Sequence, residues 1–273
     1  MNKQNITRRK LIASLSGLAL YTVVEVLKRP RHYGGVDNNF RYKEPIKPLK
    51  TEGMIAEFGL PHFIEYWNRE VLSRIRHASY PLDKIQQNVL KRDSIFLPPA
   101  SADEIAALQK RIGIPLPPSL IAFLSITNGV MSIVDYSGID VDLYPTAQIG
   151  WLNEQDPNLV NDWTGAMKDV SEVSNSEYFQ YGPTQDPVKI RDEYLKHIIA
   201  LGPVVDSGVF LINPQIIFPN GEWEAWDFSV KYPGAKRYKS LNELLEAFCS
   251  SSCENLDFWN DLYITNAAKH KSK

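Results

Sequence analysis

An α+β fold is the class this sequence predicts, on three observations. Up to residue 126 apolar residues recur at helical spacing; from Val130 they fall into short runs of strand length; from Leu241 the helical spacing returns. The 273 residues are 44% hydrophobic and 11% aromatic, enough for a folded core.

The chain opens with Lys3, Arg8, Arg9 and Lys10 ahead of an uncharged run, Leu11 to Val24. A basic stretch before an apolar one marks residues 1–30 as an export signal or membrane anchor, with residues 11–27 the possible membrane tether. The run is shorter than the ~20 residues of a spanning helix. Thr7-Arg8-Arg9-Lys10-Leu11-Ile12 is similar to a twin-arginine export motif, with Leu11 where phenylalanine is usual. This predicts an exported or membrane-anchored protein of bacterial type, in the periplasm or cell envelope, with a cytoplasmic location as the alternative. Residues 31–52, rich in Gly, Pro, Asn and charge, read as a linker.

Residues 53–93 read as helical. Leu60, Phe63, Ile64, Trp67, Val71 and Ile75 lie on one stripe; Ser79-Tyr80-Pro81 breaks it, and Ile85, Val89 and Leu90 follow on a second helix. Next comes a helix pair within Leu97–Gly129. Ser101 and Glu104 have capping-box spacing, Ile105, Leu108 and Ile112 form the buried stripe, and Gly113 supplies a left-handed end. Pro115, Pro117 and Pro118 hold the next residues out of a helix, which resumes through Leu120, Phe123 and Leu124 until Asn128-Gly129.

Beyond Gly129, Val130–Val134, Val141–Tyr144 and Ile149–Leu152 are strand-sized. Residues 153–187 are acidic and loop-like, with a short helix over Leu159–Met167. Ile198–Leu201, Val209–Ile212 and Gln215–Phe218 read as strands, Asn220-Gly221 as a tight hairpin turn, and Trp223–Phe228 as the returning strand. Alternation puts Trp223 with Ala225 on one face of that strand and Glu224 with Trp226 on the other. Ser240 caps a helix carrying Leu241, Leu244, Leu245 and Phe248. Residues 251–273 read as a short aromatic helix and a basic tail. Cys249 and Cys253, four apart on a helix, suit two buried thiols better than a disulfide.

A helix, then Gly113-Ile114-Pro115-Leu116-Pro117, then an apolar helix ending in Asn128-Gly129 resembles the SUKH superfamily. So does Gly208–Ser229 followed by Gly234–Phe248. Pro117, Asn128, Gly129, Gly221 and Trp226 are the fold markers, and the resemblance covers about residues 94–250. It implies a twisted, mainly antiparallel sheet flanked by helices, with residues 53–93 as an N-terminal helical addition. Functionally it implies a non-enzymatic protein-binding domain. The leading expectation is an immunity protein that neutralises a cognate toxin by occluding it. The alternative is an envelope-associated scaffold or regulatory adaptor of cell-wall or signalling processes.

Charge narrows the partner. The net charge of −2 hides an asymmetry: residues 1–50 carry 11 Lys/Arg against 3 Asp/Glu, whereas residues 101–227 carry 6 against 18. An acidic domain suits a basic protein, here a basic toxin domain, and repels the phosphates of nucleic acid. No phosphate loop, nucleophile elbow or zinc-protease motif is present, and the five histidines are scattered. Asp135, Asp140 and Asp142 are spaced like hard-metal ligands but lack the glycine and closing glutamate of a calcium loop. Asp206-Ser207-Gly208 reads as a turn. No catalytic residue, metal or cofactor is therefore expected. The expected partner-binding residues are Glu222, Trp223, Glu224, Trp226 and Asp227, since tryptophan supplies buried contact area and flanking acids select a basic surface.

Overall fold

The computed structural model describes residues 49–134, 139–166, 172–205, 208–229, 231 and 233–271. Residues 1–30, expected to be an export signal or membrane anchor, and most of the expected linker, together with Asp135, Met167 and Asp206-Ser207, lie outside them.

A glutamate fastens the first helices to the last. Gly53 N–H and Ile55 N–H donate to the Glu246 carboxyl at 2.9 and 2.7 Å, and Thr51 Oγ1 donates to the Glu246 carbonyl at 2.7 Å. This caps α1 (Met54–Phe58) from a distant helix, because no side chain of its own does so. α2 (Leu60–Arg76) buries all six residues of the expected stripe. Its Trp67 packs edge-on to Phe96 and Phe248, at ring separations of 5.3 and 5.1 Å. α3 (Lys84–Arg92) and α4 (Ala102–Ile112) both begin with complete capping boxes, Asp83 with Gln86 and Ser101 with Glu104. Gly113, at φ 80°, ends α4 in the left-handed conformation.

α5 (Pro118–Ile126) ends before Asn128-Gly129, and a different pressure selects that pair. Asn128 Oδ1 accepts from Thr146 N–H at 2.7 Å. At Gly129, φ is 116° and an added Cβ would sit 2.6 Å from the Leu143 carbonyl oxygen. Both residues thus hold the chain against β1 (Val130–Met131) and β2 (Val141–Leu143), which pair antiparallel.

The main sheet has five antiparallel strands in sequence order: β3 (Gly150–Trp151), β4 (Ile199–Ala200), β5 (Gly208–Ile217), β6 (Trp223–Ser229) and β7 (Gly234–Tyr238). Two strands expected at 209–212 and 215–218 are one strand, β5, with a register shift between Asn213 and Ile217. Pro214 has no N–H for the ladder, and a bulge is where a strand tolerates that. α9 (Leu241–Lys271) is likewise one helix of 31 residues, not a family helix plus a separate aromatic one. Neither Gly nor Pro interrupts it, and the Ser251 and Ser252 hydroxyls bond back to the Phe248 carbonyl at 3.0 and 2.7 Å.

Both faces of the sheet are covered. Ile199, Ile212, Trp223 and Ala225 join the helical core with α2 and α9. Leu211, Trp226, Phe228 and Ala235 pack on the other face against residues from the 152–198 insertion, including Leu152, Val160, Trp163, Tyr178 and Leu195. In that insertion, α6 (Leu152–Gln155), α7 (Pro157–Ala166) and α8 (Asn175–Tyr178) precede a 3₁₀ turn at Asp192–His197. The family resemblance is thus met by an α+β fold with an antiparallel sheet and N-terminal helices.

Candidate functional site

β6 reads Trp-Glu-Ala-Trp-Asp-Phe-Ser, and its alternation is as expected. What differs is what each face meets. A strand with polar residues on alternate positions normally turns them to water. Here the insertion lies over that face. Trp223 is 4% exposed, and Glu224 and Trp226 are fully buried, so none of the three offers a surface to a partner.

Glu224 is the hub of a buried polar cluster. Its Oε2 accepts from Tyr178 Oη–H at 2.5 Å, Trp226 Nε1–H at 2.6 Å and Asn213 Nδ2–H at 3.1 Å. Oε1 accepts from Tyr181 Oη–H at 2.7 Å. Arg237, also fully buried on the neighbouring strand, brings Nη1 to 3.9 Å from Oε1. Its guanidinium lies over the Tyr178 ring, 4.3 Å from the centroid, and donates to the carbonyls of Tyr178 and Gln180. Burial, then the charge and hydrogen bond of Glu224, push both tyrosine hydroxyls far above the usual phenol range.

This is a clamp, not a reaction centre. The glutamate's oxygens are filled by four protein donors, and the arginine pairs with that glutamate, donates to main-chain carbonyls and lies against tyrosine faces. Nothing in it is placed to move a proton for a substrate. What it does is hold residues 178–181 onto the sheet. Gln185 continues the seam: its Oε1 accepts from Arg237 N–H at 2.7 Å and its Nε2 donates to the Arg237 carbonyl at 3.2 Å, as a paired strand would. The Pro187 carbonyl takes Ala235 N–H at 3.0 Å. An added Cβ at Gly234 would sit 1.9 Å from that same oxygen, so only glycine lets the two backbones meet. The outer edge of β7 is closed in this way.

Glu222 also has an internal task. Its Oε1 accepts from Ser119 N–H at 3.0 Å and its Oε2 takes the Ser119 hydroxyl. α5 begins Pro117-Pro118 and has no local side-chain cap, so a carboxylate from the β5–β6 turn caps it. Asp227 is half-buried and is paired with Lys236 in the β6–β7 register. Of the five residues, four therefore have interior or capping partners, and they do not form a common surface.

Tyr178, Tyr181, Asn213 and Arg237 were not legible as site residues. One signal was present: a glutamate at an inward position of an otherwise apolar strand must find donors. It does not say where they come from, and the two tyrosines lie more than 40 residues away.

Glu154, Asp162, Glu172 and Glu193 are exposed on the insertion. Phe179, next to the clamped Tyr178, is 44% exposed, and Arg191 lies 5.6 Å from its ring. Among the described residues, no three His, Cys, Asp or Glu side chains are grouped to hold a metal ion. Cys249 and Cys253 are free, buried thiols. An open groove of about 400 Å³ between Ile64, Asn68, Arg92, Phe96 and Ile126 contains one further charge, Glu65.

A five-stranded antiparallel sheet, helical on one face and covered by a clamped insertion on the other, defines an α+β domain whose exposed chemistry lies on its surface. The chain belongs to the SMI1/KNR4 family (SUKH-1), whose sequence profile matches residues 99–247. No curated protein and no solved structure matches it. Membership fits two kinds of role, immunity protein and cell-wall-regulator-like protein; such domains typically bind protein partners and are generally non-catalytic.

Proposed function

We propose that this protein is an immunity protein that neutralises a cognate toxin by covering it, and that the insertion supplies the covering surface. The observation that carries this reading is Phe179, exposed on a segment clamped from beneath by Glu224 and Arg237, within an insertion that also exposes Glu154, Asp162, Glu172 and Glu193. A pre-ordered acidic surface lowers the entropic cost of association and steers a basic domain into contact. An exposed aromatic amid charge gives that surface an anchor. Inhibition is steric and electrostatic, with no turnover. The basic, apolar N-terminus favours a toxin acting in the cell envelope, because an immunity protein must reside where its toxin acts.

The test is protection. The toxin domain encoded beside this chain is expressed in a heterologous host with and without the protein. Wild type restores growth, and Glu154→Lys with Glu172→Lys and Phe179→Ala abolishes rescue while leaving the thermal midpoint unchanged. Full rescue by the triple variant sinks the assignment to the insertion. A neighbourhood without any toxin, with envelope or signalling proteins bound instead, favours the adaptor role.

A further inference from the structure

Cys249 and Cys253 are the only two cysteines of the chain, and the fold sets them side by side. Both are free and fully buried on the core face of α9, with a hydrogen bond between the two thiols. A disulfide does not suit them. Residues four apart on a helix hold their Cβ atoms about 5–6 Å apart, against about 3.5–4.5 Å across a disulfide. One metal ion between two sulfurs spans about twice a metal–thiolate bond of about 2.3 Å, which that Cβ spacing accommodates.

The surroundings select the ion. Hard cations collect oxygen ligands, and zinc takes four ligands. Among the described residues no His, Asp or Glu is grouped with the two thiols as a third ligand. That leaves a soft ion content with two thiolates, for which Cu(I) is the natural candidate. Tyr66, Glu70 and Arg74 of α2 and Asp257 of α9 are the titratable groups acting on the pair. Arg74 engages both acids, with Nη1 at 2.9 Å from Glu70 and Nε at 3.0 Å from Asp257, so neither carboxylate acts on the thiols uncompensated. The hydrogen bond from Cys249 holds the Cys253 thiol below its ordinary range; burial opposes this, Arg74 assists it, and Glu70 and Asp257 oppose it. One turn beyond Cys253, Leu256, Asp257 and Asn260 line an open groove of about 370 Å³ with Ser73, Arg74 and His77, which gives the pair a route to solvent.

We propose that Cys249 and Cys253 form a two-coordinate thiolate site for Cu(I). On binding, both S–H bonds break, two Cu–S bonds form and both protons leave. The monocation becomes a bis-thiolate monoanion, the released protons balance the charge, and no electron is transferred. Arg74 is the adjacent cation for that anion. Occupancy ties successive turns of α9 together beside the points where Ser250 holds Leu49 and Glu246 caps α1. It therefore strengthens the fastening of the first helices to the last. The inference does not rest on the immunity reading.

The test titrates Cu(I) into the full chain, reduced and anaerobic, against excess bicinchoninate, which is coloured when it holds the ion. Both thiols are buried, so loading needs local opening and readings are taken at equilibrium. One Cu(I) per chain is withdrawn from the chelator, and the thermal midpoint rises. Cys249→Ala and Cys253→Ala each weaken binding beyond the about 10–100-fold that losing an outer-shell partner costs, with far-UV circular dichroism unchanged. Because two protons leave, affinity rises by up to about a hundredfold per pH unit below the thiol range. That slope is read on the wild type and holds whether or not a substitution folds. Three results overturn the proposal: a chelator that keeps all of its copper; binding that survives in the chain lacking both cysteines, which places the ion elsewhere; or a pH slope of a single proton.

Discussion

Replacing Glu224 with glutamine removes one charge and nearly nothing in volume, so its cost isolates the clamp. In the wild type the carboxylate takes four hydrogen bonds and faces a fully buried guanidinium. Glutamine keeps one acceptor oxygen and turns an NH₂ group toward groups that are themselves donors. Breaking a buried ion pair by removing one partner costs about 3–5 kcal/mol, because the other charge stays behind uncompensated. Here Arg237 retains the carbonyls of Tyr178 and Gln180, which sets the expectation near the lower end, about 3 kcal/mol. Against a stability of about 5–15 kcal/mol that is a large fraction. Urea unfolding followed by tryptophan fluorescence and far-UV circular dichroism reads it directly. Pairing Glu224→Gln with Arg237→Met supplies the control, since removing the orphaned cation recovers at least about 1 kcal/mol relative to the sum of the single changes. A loss below about 1 kcal/mol for Glu224→Gln, or strict additivity in the pair, refutes the clamp. Limited proteolysis adds a local readout: the variant is cut faster within residues 172–187, while cleavage elsewhere follows global stability.

Glu222→Ala removes the only side-chain cap of α5 that the structure provides and costs about 1–2 kcal/mol, read as a lower urea midpoint at constant slope. Asp142 brings a pH dependence. Burial pushes its carboxyl up to about 7 from an ordinary 3.8, and its hydrogen bond with Ser132 opposes this only in part. Between those values the unfolded chain releases the proton while the folded one keeps it. Stability therefore falls as pH rises from about 4 to 7, by no more than about 4 kcal/mol, and is flat above that. Asp142→Asn flattens the profile of unfolding free energy against pH. The hydrogen bond to Cys253, followed by burial, pushes the Cys249 thiol up. In the native state neither cysteine reacts with a thiol reagent on the timescale of minutes, and two thiols titrate once urea unfolds the chain.

Local rules were enough for the helices. The stripe from Leu60 to Ile75, the Ser101–Glu104 box and the left-handed Gly113 all depend on neighbours within about four residues, and each stands where periodicity put it. The hairpin turn at Asn220-Gly221 and the alternation along β6 are of the same kind, as is the change of period that marks an α+β chain.

Long-range contacts decided the rest. Two strands fused into β5 because β6 pairs with it from Gly208 to Asn213 and again at Ile217, around one bulge. α9 ran on past Ser250 because nothing local stops it and the Leu256 side of its stripe has a body to pack on. The main reversal is at residues 222–227. Alternation correctly divided Trp223 from Glu224, but a period of two cannot say whether a face meets water or protein. The insertion answers that with Tyr178 and Tyr181, brought more than 40 residues along the chain to the acid a solvated strand would have displayed. Residue types and spacing determined which side chains share a face; only the tertiary fold decided that this face is interior, because a buried carboxylate is tolerated only where distant donors converge on it.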